Sequence, residues 1–250
     1  MRIGRIIAWL GVVLLAAVLL VGAVGYVLST RVPQAYAPAE LDDARQIQVA
    51  QEFLAGSVID GFGNRVEEGL PFSWSLRAEK CNEILASMDE IAYQLDGRGE
   101  RKKPVEKALR EQGISGPAVS FQNGQVTLMV FSEAYNRVLS ADVGLSLDER
   151  GRFRARLEGV RVGQLPLPAS LVREELASLR RSLPRQAAAT ARPDGLISPE
   201  DFARVLQQVF VALDDDAIDP VLVWPGNKRH VRITGLRLAE GELTIHFTPL

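Results

Sequence analysis

The sequence predicts an α+β fold, with an N-terminal transmembrane helix followed by a curved antiparallel sheet packed around long helices. The chain carries no charged side chain from Ile6 to Thr30, which is typical of a membrane helix. Several later segments alternate apolar and polar residues with the period of two that strands have, and short turns join them in consecutive pairs. Between these pairs, apolar residues recur every three or four positions and predict amphipathic helices.

The composition excludes several functional classes. A formal charge of -2 over 250 residues provides no overall positive field to attract nucleic acid. A single cysteine cannot form an internal disulfide, and two histidines are too few for a His/Cys metal centre. The chain has no G-x-S-x-G, P-loop or G-x-G-x-x-G motif. We therefore expect no nucleic-acid partner, no metal, no cofactor and no catalytic residues.

Residues 1–30 predict a cytoplasmic tip and a retained signal-anchor helix. At 1.5 Å per residue, the uncharged stretch is long enough to cross a bilayer core of about 30 Å. Arg2 and Arg5 precede it, and acidic residues soon follow Arg31, so the positive-inside rule places the N-terminus in the cytoplasm and the main domain outside. A cleaved signal peptide is the alternative, because Ala35-Tyr36-Ala37 provides an A-x-A pattern. Against cleavage, the apolar run is longer than a signal-peptide core, and Pro38 would follow the cut.

The rest of the chain divides into a connecting region, residues 31–69, and one extracytoplasmic domain, residues 70–250. Pro33 and Pro38 predict a short extended stalk, since proline lacks the N–H that a helix needs. A helical pattern then runs from Leu41 to about Gly61. No repeat or Gly/Ser-rich linker divides the remaining residues.

The domain alternates helices and strand pairs. A short strand over residues 72–76 leads into the clearest helix, residues 81–95. Asn123-Gly124 predicts a hairpin turn, and a second pair over residues 143–162 has a phase slip at Gly159 that predicts a β-bulge. Helices are predicted over residues 171–183 and 198–213. Three strands, over residues 221–224, 231–238 and 243–247, end the chain, with a second candidate bulge at Gly235.

The polar residues that most often carry chemistry have simpler explanations here. His230 and His246 alternate with the apolar positions of their strands, which favours surface histidines. The acidic run at residues 214–219 lacks the spacing of an EF-hand loop and favours a solvated helix end. Cys81 lies in the apolar stripe of its helix, where a buried thiol is commoner than a nucleophile.

Three segments resemble a known family. They are Phe72 to Leu85 (FSWSLRAEKCNEIL), Val160 to Pro168 (VRVGQLPLP), and the closing VRITGLRL and EGEL of residues 231–243. Together they resemble the tubular lipid-binding (TULIP-like) proteins, and most closely their small bacterial membrane-anchored members of the YpmS type. The resemblance covers residues 70–250 and implies a long, curved antiparallel sheet around a helix, an elongated apolar groove for lipid acyl chains, and no catalytic residues. Lys80, Cys81 and the basic segment at 98–110 depart from the family pattern.

The strand after Gly124 is apolar on both faces. Val126, Leu128 and Val130 point one way, and Met129 and Phe131 point the other way. Burial between two layers explains this pattern, and so does a sheet curved around an apolar cavity. The candidate lipid-lining residues, which would otherwise fill a closed core, are Val126, Leu128, Val130, Leu145, Leu157, Leu236, Leu243 and Ile245.

A local basic segment provides a candidate membrane-surface contact. Arg101, Lys102, Lys103 and Lys107 lie in an otherwise acidic domain and would attract anionic lipid headgroups, at about 1 kcal/mol for each basic side chain close to the surface. A solvated loop and helix face is the alternative.

The expected function is that of a single-pass protein of a bacterial cell envelope. Its extracytoplasmic domain would bind or shield a membrane lipid or another hydrophobic ligand without catalysis. An envelope structural or assembly protein that binds a protein partner is the alternative. A membrane-tethered hydrolase is a third possibility and would need a polar cluster in a pocket.

Overall fold

The computed structural model describes residues 19–96, 104–122, 124–168, 217–224 and 229–250. Its fold is α+β with antiparallel sheets, as the sequence predicts. The helices expected over 171–183 and 198–213, the acidic residues 214–216, and Arg101, Lys102 and Lys103 lie outside the described residues. Residues 19–30 are helical, and no helix within the described ranges is long and apolar enough to cross a membrane.

Five α-helices and one π-helix follow in the described ranges beyond residue 30. They are α1 (Asp43–Gln51), the π-helix (Glu52–Gly63), α2 (Asn64–Glu68), α3 (Ala78–Ala86), α4 (Met88–Asp96) and α5 (Pro104–Glu111). The Asp42 carboxylate accepts a hydrogen bond from the Arg45 N–H at 2.7 Å and caps α1. Residues 81–95 are helical as predicted except at the fully buried Ser87, which divides the segment into α3 and α4 and whose hydroxyl donates to the Glu83 carbonyl.

Within the described residues, nine strands form two antiparallel sheets. They are β1 (Phe72–Arg77), β2 (Ile114–Gln122), β3 (Gln125–Ser132), β4 (Arg137–Leu147), β5 (Phe153–Val162), β6 (Leu165–Leu167), β7 (Val221–Val223), β8 (His230–Ala239) and β9 (Glu242–Pro249). The four-stranded sheet has the order β1-β9-β8-β7 and the five-stranded sheet the order β2-β3-β4-β5-β6.

The expectation of one continuous sheet is therefore corrected to two. The physical reason lies at the outer edge of β2, where the Asn82 side chain of α3 occupies the place of a neighbouring strand. Its amide donates to the Val119 carbonyl at 3.2 Å and its oxygen accepts from the Val119 N–H at 2.7 Å. Because this edge is already paired, the four-stranded sheet cannot extend the five-stranded sheet there.

The predicted hairpins and bulges are confirmed. β2 and β3 pair across a turn in which Gly124 has φ +81°, a conformation that favours glycine. The β4–β5 register shifts where Asp142 pairs with Gly159 and Val143 with Leu157. The β8–β9 register shifts between Ile233 and Gly235. Both predicted bulges are thus present at their glycines.

The core has two main parts. Under the four-stranded sheet, Phe62 of the π-helix packs with ring centroids 5.0–5.6 Å from the four aromatic residues Phe72, Trp74, Trp224 and Phe247. The second part joins the two sheets, because Val119, Phe121 and Val126 of the five-stranded sheet pack with Leu243 of β9. Leu85 and Cys81 of α3 cover this junction. The apolar faces of the two sheets therefore meet in one core.

Candidate functional site

The predicted lipid-lining residues fall into two groups. Leu236, Leu243 and Ile245 belong to the four-stranded sheet, where Leu243 is buried and Ile245 packs against both cores. The other five belong to the five-stranded sheet, and they are Val126, Leu128, Val130, Leu145 and Leu157. Val126 is buried in the junction between the sheets, and Leu145 and Leu157 pack around Val143 and Ala155. Leu128 alone among the eight is classed as exposed, at 51%.

Leu128 and Val130 belong to a larger apolar surface, which we call the apolar strip. Cross-strand pairs share a face of a sheet, and the pairing connects Leu128 to Ala141 and Ala141 to Val160 in one row. A second row runs from Val130 through Leu139 to Val162. None of the strip residues is classed as buried; they are Leu128, Val130, Leu139, Ala141, Val160 and Val162.

The opposite face of the same strands is buried. Met129 and Val138 are 2% exposed, and Ala35 and Tyr36 of the stalk pack against them. The Tyr36 hydroxyl donates to the Gly116 carbonyl at 2.9 Å, which fixes the ring on this face, and partial burial raises the pKa of that hydroxyl. The prediction that Leu128 and Met129 point to opposite faces is confirmed by this difference in burial.

Polar groups lie on the buried face. Thr127 and Ser140 are each at most 3% exposed. The Thr127 hydroxyl donates to the Asp142 carboxylate at 2.8 Å, and Arg161 forms an ion pair with the same carboxylate at 2.6 Å. An antiparallel sheet with one wet face normally places its apolar side chains inside and its polar ones outside. Here the covered face holds hydroxyls and an ion pair among its apolar side chains, whereas the open face is aliphatic in both rows of the strip.

This arrangement suits an apolar ligand. An aliphatic surface of six side chains on adjacent strands offers dispersion contacts and the removal of apolar area from water, and it offers no hydrogen-bond donors from its side chains. Each buried methylene group of a ligand would contribute about 0.8 kcal/mol. Beyond Leu128, the same face continues with Val119 and Val126, which are buried in the junction between the sheets. The strip is therefore continuous with the apolar core.

One predicted headgroup residue can be placed. Lys107 lies on α5 with its side chain 78% exposed, and its ammonium group is 3.8 Å from the Glu111 carboxylate. Two residues beyond α5, the Gly113 carbonyl accepts from the Glu133 N–H in the turn between β3 and β4. The end of the basic segment therefore adjoins the same end of the five-stranded sheet as the second row of the apolar strip.

The polar candidates do not come together as a reaction centre. His246 is exposed, as predicted, and its Nδ1 lies 2.7 Å from the Ser73 hydroxyl on the open face of the four-stranded sheet. Among the described residues, no recorded hydrogen bond or ion pair joins His246 to a carboxylate, and no group of three His, Cys, Asp or Glu side chains could hold a metal ion. Burial raises the pKa of the Cys81 thiol, which disfavours the reactive thiolate.

A cavity of about 580 Å³ lies elsewhere, between the stalk, α5 and the start of β2. Its walls include Leu41, Leu85 and Leu109, and carboxylates stand at its rim. Two of these carboxylates already make contacts that stabilise the fold. Asp89 accepts hydrogen bonds from two N–H groups at the start of α5, and Glu106 pairs with Arg110 at 2.7 Å. None of the eight predicted lining residues contributes to this cavity.

Sequence reasoning missed four of the six strip residues. Leu139, Ala141, Val160 and Val162 were not among the predicted lining residues, although the hairpin registers pair them with Leu128 and Val130. These four residues could have been predicted by combining the alternation of β4 and β5 with the strand pairing across the two turns. The position of Tyr36 on the covered face could not be predicted from the sequence, because it depends on a contact 80 residues away.

Comparisons of the chain with protein-family models, with curated proteins and with solved structures find no match.

Proposed function

We propose that this chain is a membrane-anchored extracytoplasmic protein that binds or shields a lipid or another hydrophobic ligand on the apolar strip, without catalysis. The partly exposed aliphatic face of the five-stranded sheet carries the proposal. Its open face is aliphatic at Leu128 and Val130, while the covered face buries hydroxyls at Thr127 and Ser140. A sheet that only needed to fold in water would be expected to carry polar side chains at these exposed positions.

The described helix before the stalk supports the membrane anchor. Within residues 19–30, the large apolar side chains project away from the rest of the protein, with Leu19, Leu20 and Val21 each more than 60% exposed. Continuous apolar exposure on a helix indicates a non-aqueous surrounding. The uncharged sequence extends back to Ile6, and Arg2 and Arg5 precede it. The positive-inside rule then places the domain on the outer side.

Ligand binding on the strip would rely on surface burial. An acyl chain lying along Leu128, Ala141 and Val160 removes the aliphatic face from water together with its own methylenes. Such contacts are non-directional, so the strip selects for an apolar chain and does not select a particular headgroup.

Photo-cross-linking tests this function. The full-length chain is reconstituted in vesicles that contain a phospholipid with a photoactivatable group on its acyl chain, and adducts are located by peptide mass spectrometry. We expect adducts on peptides of β3, β4 and β5, separate from those on the anchor. Leu128→Asp is expected to reduce the strip adducts at least tenfold, because a carboxylate must be desolvated there.

Val223→Asp is the matched control. Val223 is 54% exposed on β7 of the other sheet, so the same change leaves the strip intact. Equal adduct yields in wild type and Leu128→Asp, or no adducts on β3 to β5, would contradict lipid binding on the strip. In the second case, a stoichiometric protein bound to the strip would favour the envelope assembly role.

A further inference from the structure

The junction between the anchor helix and the five-stranded sheet is a close contact. The Gln164 N–H in the turn between β5 and β6 donates to the Leu28 carbonyl at 2.9 Å. Beside it, Gly163 has φ +59°, and a Cβ atom there would overlap the backbone of Ser29 and Arg31. Only glycine fits this approach without displacement. The last turn of the helix therefore lies directly against the β5–β6 turn.

A second turn of the same sheet contacts the helix. Arg137, the first residue of β4, places its guanidinium 5.9 Å from the centroid of the Tyr26 ring. Two residues earlier, in the turn between β3 and β4, Tyr135 is 70% exposed. The Gly163 N–H donates to the Val138 carbonyl at 2.7 Å, which holds the two turns together. Both turns thus flank the helix end.

The stalk does not act as a flexible spacer between the anchor helix and the domain. Residues 31–42 are non-helical, as the prolines predict, but they pack along the protein. The Tyr36 hydroxyl bonds to Gly116, and the Asn82 amide donates to the Ala37 carbonyl at 3.2 Å. The stalk is therefore fixed to the five-stranded sheet and to α3. The position of the helix sets the position of the sheet.

We propose that the β3–β4 and β5–β6 turns rest on the outer surface of the membrane, so that the apolar strip opens at the headgroup level and takes its lipid directly from the outer leaflet. The inference rests on the proposed function. The row of the strip nearest these turns is Val130, Leu139 and Val162, with Val162 next to Gly163. A lipid entering there meets aliphatic side chains within a few residues of the membrane surface.

The side chains around the two turns and the end of the helix suit such a surface. Tyr26 and Tyr135 are both largely exposed, and tyrosine rings prefer the membrane interface, where the ring is partly apolar and the hydroxyl is hydrated. Arg31 and Arg137 provide cations for lipid phosphates. The interfacial aromatics and the cations thus lie at the end of the sheet that the anchor helix contacts.

Depth-dependent quenching tests the orientation in the full-length chain. Cys81→Ser removes the only cysteine, and a single environment-sensitive fluorophore is attached at Tyr135→Cys or, as a control, at Glu149→Cys. Glu149 lies in the exposed turn between β4 and β5, at the opposite end of the sheet. In vesicles of phosphatidylcholine and phosphatidylglycerol with brominated acyl chains, we expect at least a twofold loss of fluorescence at position 135 and no loss at 149.

The quenching and cross-linking results together distinguish failure of the docked orientation from failure of the proposed function. Absence of quenching at 135, or equal quenching at both positions, overturns the docked orientation. Acyl-chain adducts on the strip without quenching at 135 would show that the strip binds lipid but does not open at the surface. Quenching at 135 without adducts would leave the docked orientation in place and overturn delivery of lipid to the strip.

Discussion

Asn82 connects three parts of the chain through one buried side chain. Its amide and oxygen pair with both backbone groups of Val119 at the edge of β2, and its amide also reaches the Ala37 carbonyl. The residue is 7% exposed, so water does not replace these partners easily. An asparagine is required here because it offers donor and acceptor together, as a strand neighbour would.

Replacing this side chain should destabilise the fold. Asn82→Ala leaves the Val119 N–H and carbonyl unpaired, and we expect a loss of about 2–3 kcal/mol in the free energy of unfolding. Denaturant unfolding measures the change. Gln94→Ala, which removes one hydrogen bond to Glu90 on α4, is the control and should change the free energy by less than about 0.5 kcal/mol. Similar losses in both variants would contradict the edge-pairing role.

Cys81 should react slowly in the folded protein. It packs under the junction of the two sheets, and burial raises the pKa of its thiol. We expect iodoacetamide at pH 7.5 to modify it at least tenfold more slowly than in denaturant, as measured by intact mass against time. Equal rates in the two conditions would indicate an accessible thiolate and reopen the question of a reactive cysteine.

At the scale of elements, an ion network joins α3 to the helices before it. Lys80 contacts Glu52 at 2.9 Å and Glu83 at 3.0 Å, and Arg45 contacts Glu83 at 3.1 Å. The hydrogen bond from Lys80 lowers the pKa of Glu52. At Glu83, partial burial opposes the hydrogen bonds from Lys80 and Arg45, but the pKa is still lowered. Lys80 thus has a structural role.

The network predicts a loss of stability in acid. Because the folded carboxyls have pKa values below the ordinary 4.5, their stabilisation is complete above about pH 4.5 and is lost as the pH falls through the lowered values. We expect the melting temperature of Lys80→Met to fall less between pH 7 and pH 3.5 than that of wild type. Lys107→Met, from an exposed pair on α5, should behave like wild type.

The strip face should tolerate polar substitution only where its side chains are exposed. Leu128→Asp is expected to remain folded, because its side chain is half-exposed. Val126→Asp, two residues away on the same face but buried in the junction, should lose more than about 3 kcal/mol or fail to fold. Circular dichroism and thermal melting compare the two. Unfolding of Leu128→Asp would show that this position is core.

These elements also show what the sequence can predict. The hairpins at Gly124 and the bulges at Gly159 and Gly235 arise from neighbouring residues, and local alternation was sufficient to predict them. The pairing of β1 with β9 joins residues such as Trp74 and Ile245 that are far apart in the chain, and alternation does not encode which strands pair. Alternation also does not show which face of the five-stranded sheet is covered, because Leu128 and Met129 are equally apolar.

At the scale of the whole molecule, the two sheets form one folding unit. Leu243 of β9 packs with Val126 of β3, and the Gly241 N–H in the β8–β9 turn donates to the Phe121 carbonyl at 2.9 Å. A bridge between Phe153 and Ile218 adds a second link near the start of β5. A sheet that depends on such shared contacts should not unfold independently.

Leu243→Ala tests this cooperativity. We expect a loss of about 2–4 kcal/mol, from the transfer and cavity terms of a buried leucine. Hydrogen exchange should accelerate by the same factor for the slowest amides of β3 and of β9, since both would exchange through one global opening. Acceleration in β9 alone would indicate two independent folding units.

The close packing of the helix end on Gly163 also limits how far the domain reaches. A chain held at this point and along residues 31–38 cannot extend across an aqueous gap in the way a flexible linker would allow. In the proposed orientation, the strip exchanges lipids only with the bilayer that holds its own anchor. Encounter between protein and ligand then takes place by lateral diffusion in two dimensions, and the abundance of the ligand in that leaflet, rather than its concentration in water, sets how often the strip is filled.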